Sequence, residues 1–381
     1  MQLSISNYFD VAIIGGGLSG LSLSIQLAKT GYQVILFEKE TFPFHRVCGE
    51  YISMESWDFL TSLGVDLEQM QVPKIHKLNV TSPAGLILSH DLDNGGFGIS
   101  RYVLDNELCK IAKAAGVIVR ENSKVEDVIF DEEIFAVYSN KHKVNAKVVV
   151  SAFGKRSNLD VKWRRKFINI KAGKLNNYIG VKYHVEIEHP SDTISLHNFQ
   201  EGYCGISKVE NNKYCLCYLT TAANLKRHNN SIREMEIAVL HKNPFLKSIF
   251  NSAKFLLPSP VTIAQISFDK KSAVEEHILM IGDAAGMITP LCGNGMSMAF
   301  QSGKLAYQNI ISFIDNRSTR KQMEIQYTRD WQRVFSKRLR AGRIIQMLFG
   351  KQTVTNMTIR LLKQLPSVVE KLIRSTHGDS F

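Results

Sequence analysis

DVAIIGGGLSGLSLSIQLAKTGYQVILFE, residues 10–38, is the stretch on which the fold turns. Val11–Ile14 is a short apolar run with the length of a buried parallel strand. Gly15, Gly17 and Gly20 follow as G-x-G-x-x-G, where that strand has to turn into a helix. Leu21, Ile25 and Ala28 recur at helical spacing, which predicts one helix over Leu18–Lys29, ended by Gly31. Tyr32–Phe37 reads as a second apolar strand, closed by Glu38. The first glycine permits the tight turn, the second lets backbone amides approach a pyrophosphate, and the third lets helix and strand pack closely. The helix N-terminus adds unpaired N–H groups and the positive end of a dipole. Glu38 lies 18 residues after Gly20, at a strand end where a carboxylate can take both hydroxyls of a ribose. The unit reads as dinucleotide-binding and leaves open which dinucleotide.

Working outward, KETFPFHRVCGEYIS leaves the second strand as a loop, because Pro43 prevents a helix there. Ligands in open α/β sheets lie at such carboxyl ends, which makes Lys39, His45, Arg46, Cys48, Gly49 and Glu50 candidate site residues. Cys48 has a plain alternative as a small buried side chain. Met54–Leu63 is expected to be helical, and Leu78–Leu88 to form paired strands around Ser82-Pro83. Ser100–Gly116 reads as a helix ended by Gly116, with Arg101 preceding the helix and placed to reach from its start to a phosphate or a ring. Val117–Val119, Val125–Val128 and Lys147–Ala152 continue the sheet.

From about Lys171 to Ile266 the pattern becomes one of short alternating segments, IGVKYHVEI, GYCGISKV and KYCLCYLTT, expected to form an antiparallel sheet in an inserted substrate domain. Tyr178, Tyr183, Phe199, Tyr203, Tyr214 and Tyr218 are its aromatic residues, most of them expected in the core. HILMIGDAAGMITPLCGNGMSMAFQSGKLA, residues 277–306, returns the chain to the first sheet. There Ile278–Ile281 delivers Gly282-Asp283 to a carboxyl end, followed by the small residues Ala284, Ala285 and Gly286. Pro290, Gly293 and Gly295 form a turn before a helix over Asn294–Ala306, whose N-terminus can hold negative charge.

The chain of 381 residues carries a formal charge of +12. Fourteen Lys and Arg against three acids fall between Arg317 and Arg374, so nearly all the excess lies near the C-terminus. That segment reads as a solvated helical surface or a basic face for anionic lipid or an acidic carrier; it has no nucleic-acid motif. Residues 1–10 lack the features of a secretory signal, no apolar run reaches a membrane-spanning length, and six cysteines show no metal spacing. A cytoplasmic protein is expected, with docking at the inner membrane face as an added possibility.

GGGLSG, VCGE, SRYVLDNEL and IGDAAGMITPLCGNG, in that order and spacing, resemble the geranylgeranyl reductase-like branch of FAD-dependent oxidoreductases. Aromatic hydroxylases and flavin-dependent halogenases share that superfamily. The resemblance runs over residues 10 to about 310 and implies FAD. It implies that Gly15, Gly17, Ser19 and Gly20 hold the pyrophosphate, Glu38 the adenosine ribose, and Val125 the adenine through its backbone. Arg101, with Lys39 and Arg46, is implied on the cofactor, and Asp283 at the ribityl or pyrophosphate region. Cys48, Gly49, Gly286, Gly293, Gly295 and Met296 are implied near the flavin ring. Three departures stand out. Phe153-Gly154 replaces the Asp-Gly pair of hydroxylases, W-x-W-x-I-P of tryptophan halogenases is absent, and Tyr203-Cys204-Gly205-Ile206-Ser207 stands in place of a Y-x-W-x-F-P element.

The expected fold is therefore α/β: a Rossmann-type FAD domain (1–170 and 267–320), an inserted antiparallel substrate domain (171–266) and basic C-terminal helices (321–381). The expected function is FAD-dependent oxidation or reduction of a hydrophobic, lipid-like or polyketide-like molecule, free or carrier-bound. NADPH, NADH or a reduced protein would be the donor. Aromatic hydroxylation is the first alternative and halogenation a weaker one. A flavin-holding interaction protein and a lipid-transfer module are the non-enzymatic ones. Tyr203 is a substrate candidate. Cys48 and Glu50 are the side chains expected to add chemistry, Glu50 as a proton donor with a pKa raised by an apolar loop.

Overall fold

In the computed structural model, which describes residues 7–170 and 176–381, the 10–38 stretch folds as its periodicity requires. Strand β1 (Tyr8–Ile14) enters helix α1 (Leu18–Lys29) and then strand β2 (Val34–Phe37). After the loop come β3 (Tyr51–Ser53), α2 (Trp57–Leu63), β4 (Lys74–Thr81) and β5 (Ile87–Gly98). Helix α3 (Arg101–Ala114) starts on Ser100, whose hydroxyl accepts from the Val103 N–H, so Arg101 is its first residue rather than a residue before it. Strands β6 (Ile118–Arg120), β7 (Val125–Asp131), β8 (Ile134–Ser139) and β9 (Lys143–Ser151) follow, then α4 (Asn158–Lys162).

The next region supplies β10 (Asn176–Glu186), β11 (Thr193–Phe199), β12 (Gly202–Lys208) and β13 (Tyr214–Thr221). Three helices that the alternating pattern did not anticipate come next, α5 (Ala222–Arg227), α6 (Ile232–Val239) and α7 (Pro244–Ser252). Strands β14 (Lys254–Phe255), β15 (Val261–Ser267), β16 (Val274–Glu275) and β17 (Ile278–Met280) lead to α8 (Gly295–Ile314). The chain closes with α9 (Arg320–Leu348), α10 (Gln352–Leu362) and α11 (Pro366–Thr376), the last two divided at Pro366 as its geometry demands.

The first sheet has the order β16-β17-β9-β1-β2-β6, parallel from β17 to β6, with β7 and β8 forming an antiparallel extension on β9. Val11, Ala12, Ile13, Leu36, Val149 and Leu279 are fully buried, as strands covered on both faces must be. The second sheet has the order β14-β10-β13-β12-β11-β4-β5-β3, with β15 also on β10. It is antiparallel except for the parallel β11–β4 pair.

Two expected boundaries need correction. Strands β3, β4 and β5, assigned to the first domain, belong to the second sheet, because β4 pairs with β11. The first half of α9 is no separate basic appendage: Met323, Tyr327, Trp331 and Phe335 lie in the first core, and the Tyr327 hydroxyl donates to the Met280 carbonyl at 2.6 Å. The expected boundary at residue 171 falls outside the described residues. No described helix is long and apolar enough to cross a membrane.

Candidate active site

The parallel register pairs Ile14 with Phe37 and with Ser151, and Ser151 with Met280. The loops after β1, β2, β9 and β17 therefore leave the sheet side by side. Gly15 has φ +109°, and a Cβ there would lie 2.5 Å from the Ala152 carbonyl oxygen. A Cβ on Gly20 would lie 2.1 Å from the Gly15 oxygen. Gly17 differs: the nearest atoms to its Cβ position are Arg101 Nη2 at 3.9 Å and the Ala152 oxygen at 4.0 Å. Gly17 is also the N-cap of α1, with no side-chain cap and no acid in the first turn. Its helix end is an open approach with a guanidinium beside it, which suits an anion. Ser19 is buried below, and a Cβ on Gly282 would meet its Oγ at 2.7 Å.

Glu38 sits at the end of β2, as expected. Its Oε2 accepts from the Gly16 N–H at 2.9 Å and from Arg46 Nη2 at 3.0 Å, and its Oε1 from the Glu40 N–H at 3.1 Å. Arg46 also donates to the Gly16 carbonyl at 3.2 Å and, through Nε, to Asp105 at 2.9 Å. Arg101 closes a two-bond pair with the same Asp105, at 2.6 and 2.8 Å. Asp105, which sequence reading passed over, is thus the buried anion that orients both arginines; its spacing of four from Arg101 on one helix was the available signal. The Ser123 N–H donates to the Glu38 carbonyl, which brings buried Val125 toward that end of the site. Lys39 is exposed and, among the described residues, pairs only with Glu40, at 3.6 Å.

Opposite these groups, Gly282 has φ +58° and its N–H donates to Ser302 Oγ of α8 at 2.8 Å, which fixes the turn bearing Asp283. The Asp283 carboxylate accepts no hydrogen bond among the described residues; burial raises its pKa while Lys271, Arg101 and Lys155 oppose the rise. Lys271 Nζ donates to the carbonyls of Lys155 and Asp283, at 2.7 Å each. Gly286 lines one crevice with Asp283 and Gly295, and its Cβ position lies 3.2 Å from Leu339 of α9. Gly293 has φ +67° and lies against the Tyr51 ring. Asn294 precedes α8; its Oδ1 and Ser297 Oγ are buried without a hydrogen-bond partner among the described residues. Met296 is buried in the first core.

Glu50 is where expectation and structure part. Its side chain is fully buried, and its backbone has φ +56°. Oε1 accepts from Lys182 Nζ at 2.5 Å and from the Arg101 N–H at 2.8 Å; Oε2 meets His184 Nε2 at 2.6 Å. Burial by itself raises the carboxyl pKa, but the bonds and charges of His184 and Lys182 outweigh it and hold the group below its ordinary value. Glu50 is therefore an ionised tie between the loop after β2, the start of α3 and strand β10, and not the proton donor expected. Cys48 is also no ready nucleophile. Burial pushes its thiol pKa up, and its carbonyl accepts from Cys215 Sγ at 3.2 Å. The carbonyl of exposed Gly49 accepts from Ser207 Oγ at 3.3 Å.

A family model described as the FAD binding domain matches residues 8–339. The chain belongs to the FAD-binding domain family. It is 25% identical over 368 residues to conditioned medium factor receptor 1 of Dictyostelium discoideum, across 86% of this chain and 68% of that protein. It is 22% identical over 338 residues to digeranylgeranylglycerophospholipid reductase of Methanocaldococcus jannaschii, across 86% and 83%. A solved flavin-dependent brominase shares the fold with a TM-score of 0.78 at 22% identity, over 97% of this chain and 93% of that one. With reductases and halogenating enzymes among its relatives, the protein is an FAD-dependent oxidoreductase and bears out the geranylgeranyl reductase-like resemblance.

The residues present fit FAD. Gly17 leaves the space a pyrophosphate needs at the N-terminus of α1, with Arg101 beside it. Glu38 is anchored where a ribose would lie, and the Asp283 carboxylate, without a hydrogen bond among the described residues, lies in the crevice lined by Gly286 and Gly295. Beyond it, Leu291 of the Pro290–Cys292 turn packs with Tyr178, Tyr203, Leu219, Ile266 and Phe268 in one apolar cluster. Tyr183, Phe199, Tyr214 and Tyr218 lie in a different core, with α6 and α7, as most of the aromatic set was expected to.

Proposed function

We propose that this FAD-dependent oxidoreductase reduces a carbon–carbon double bond in a hydrophobic, lipid-like molecule. The observation that carries the reading is the buried apolar and aromatic cluster around Tyr203, which packs on the turn at Leu291 next to the Gly293–Gly295 segment and makes that end of the site apolar. The similarity to digeranylgeranylglycerophospholipid reductase, whose name specifies a lipid substrate, supports the same class.

FAD, when bound, supplies hydride-transfer chemistry. The chain's own residues do the rest. Gly15, Gly17, Gly20 and Arg101 receive the phosphates, and Glu38 receives the ribose. Asp105 keeps Arg46 and Arg101 in place, and Glu50 locks the loop carrying Cys48 against β10. With Glu50 held ionised, the proton that completes alkene reduction comes from solvent or from the substrate's surroundings. An external nicotinamide nucleotide or reduced protein supplies the electrons.

The test is product analysis of flavin-reduced protein incubated with a polyisoprenoid lipid under strict anaerobiosis. The reading expects a product richer by one hydrogen molecule per double bond. A product that forms only after oxygen is admitted would assign the protein to the hydroxylases instead.

A further inference from the structure

The end of α9, α10 and the start of α11 carry apolar side chains on two sides. On α10, Thr355, Ile359 and Leu362 face inward, and Ile359 and Leu362 pack on Val80 and Leu88 of the second sheet. An amphipathic helix would leave the opposite face polar. Here that face carries Val354, Met357 and Leu361, at spacings of three and four, with Met357 73% and Leu361 57% exposed. Ile344 and Met347 of α9 are also exposed, as is Val368 of α11.

The charge around these side chains is of one sign. Residues 331–369 contain eight Lys and Arg and no Asp or Glu. Lys337, Arg340, Lys351, Arg360, Lys363 and Lys371 are exposed, and none of them is in an ion pair among the described residues. Lys337 and Arg340 lie on the same face of α9 as Ile344 and Met347, by spacings of three, four and three. Exposed apolar side chains interspersed along these helices with unneutralised cations suit a surface that is anionic outside and apolar just beneath.

We propose that this face docks on an anionic lipid bilayer, lying in its interface with Met347, Met357 and Leu361 in the acyl boundary and the cations among the headgroups. Each cation brought near such a surface raises binding about fivefold, and salt screens the gain. The proposal does not depend on the reaction catalysed at the flavin.

The experiment is co-sedimentation of the full chain with vesicles of phosphatidylcholine alone and of phosphatidylcholine with phosphatidylglycerol, at low and high salt. Binding to the anionic vesicles at low salt, lost at high salt, is expected. Arg360→Glu combined with Lys363→Glu should cut binding by about 25-fold or more, two fivefold steps before counting the repulsion added. Met357→Ser with Leu361→Ser should weaken it while leaving every charge in place. Both variants should keep wild-type FAD content and melting temperature, because the altered side chains are exposed. No binding to anionic vesicles at low salt overturns the proposal, as does unchanged binding by the charge-reversal variant. Retention on an acidic carrier protein without vesicle binding overturns it too.

Discussion

Lys182 Nζ lies 2.5 Å from Glu50 Oε1, and neither side chain is exposed to solvent. A buried pair of this kind adds little over an apolar replacement, but removing one partner strands the other charge. Glu50→Gln should therefore cost about 3 kcal/mol and lower the melting temperature of flavin-free and flavin-loaded protein alike. Glu50→Gln with Lys182→Met should recover part of that loss. The pair also sets an acid limit. With its folded pKa depressed, Glu50 contributes stability above its ordinary value near 4.5 and loses it as pH falls through the lower folded value. A single Glu50→Gln variant that melts like wild type would show that the tie carries no energy.

Gly17 and Gly20 should separate folding from binding. Gly17→Ala has room, and its backbone at φ −85° accepts any residue, so the flavin-free variant should melt like wild type yet bind FAD at least ~10-fold more weakly. Gly20→Ala drives a methyl into the Gly15 carbonyl and should lose both stability and FAD. Thermal melts and flavin fluorescence titration distinguish them. Tight FAD binding by Gly17→Ala would place the pyrophosphate elsewhere.

Asp283→Ala should lower FAD occupancy in purified protein, because the carboxylate has no hydrogen-bonded role among the described residues that would survive as a structural one. Glu38→Arg should lower it more, about 10- to 100-fold in affinity, by setting a cation beside Arg46 and removing the acceptor for the ribose. Absorbance of the bound flavin against protein concentration reads both. A fully loaded variant at either position would remove that residue from the site.

Lys155 should give FAD binding a pH dependence. Burial lowers its pKa from 10.5 to about 8, against the attraction of Asp283, and Lys271 is lowered to about 8 as well. Between about pH 8 and 10.5 the unfolded chain holds protons that the flavin-free fold has released, so that fold gains stability as pH rises. A pyrophosphate favours the protonated amines, so FAD affinity should change in the opposite sense and fall as pH rises past 8. Titrations from pH 7 to about 10 should show a shallower fall for Lys155→Met than for wild type. Identical slopes would exclude Lys155.

The first sheet and its glycine loop were legible because local rules decide them. A short apolar run, a helix with one apolar face and a glycine-rich turn between them carry their geometry in adjacent residues, and α1 spans Leu18–Lys29 as its periodicity demands. Glu38, Arg101 and Asp283 could be named for the same reason: each stands at the end or the start of an element whose position follows from its own sequence. Lys182 and His184 could not. In IGVKYHVEI they occupy the polar side of an alternating strand, the side that faces water when a sheet is considered alone. Only the packing of the loop after β2 across β10 buries them, and that packing joins residues 132 and 134 positions apart. The same contact turned Glu50 from an isolated carboxyl with a raised pKa into an ion-paired one with a lowered pKa. Burial, charge pairing and sheet membership are properties of residues brought together across the chain, so the sequence determined the cofactor fold and its loop, while tertiary structure decided what the loop's charged side chains do.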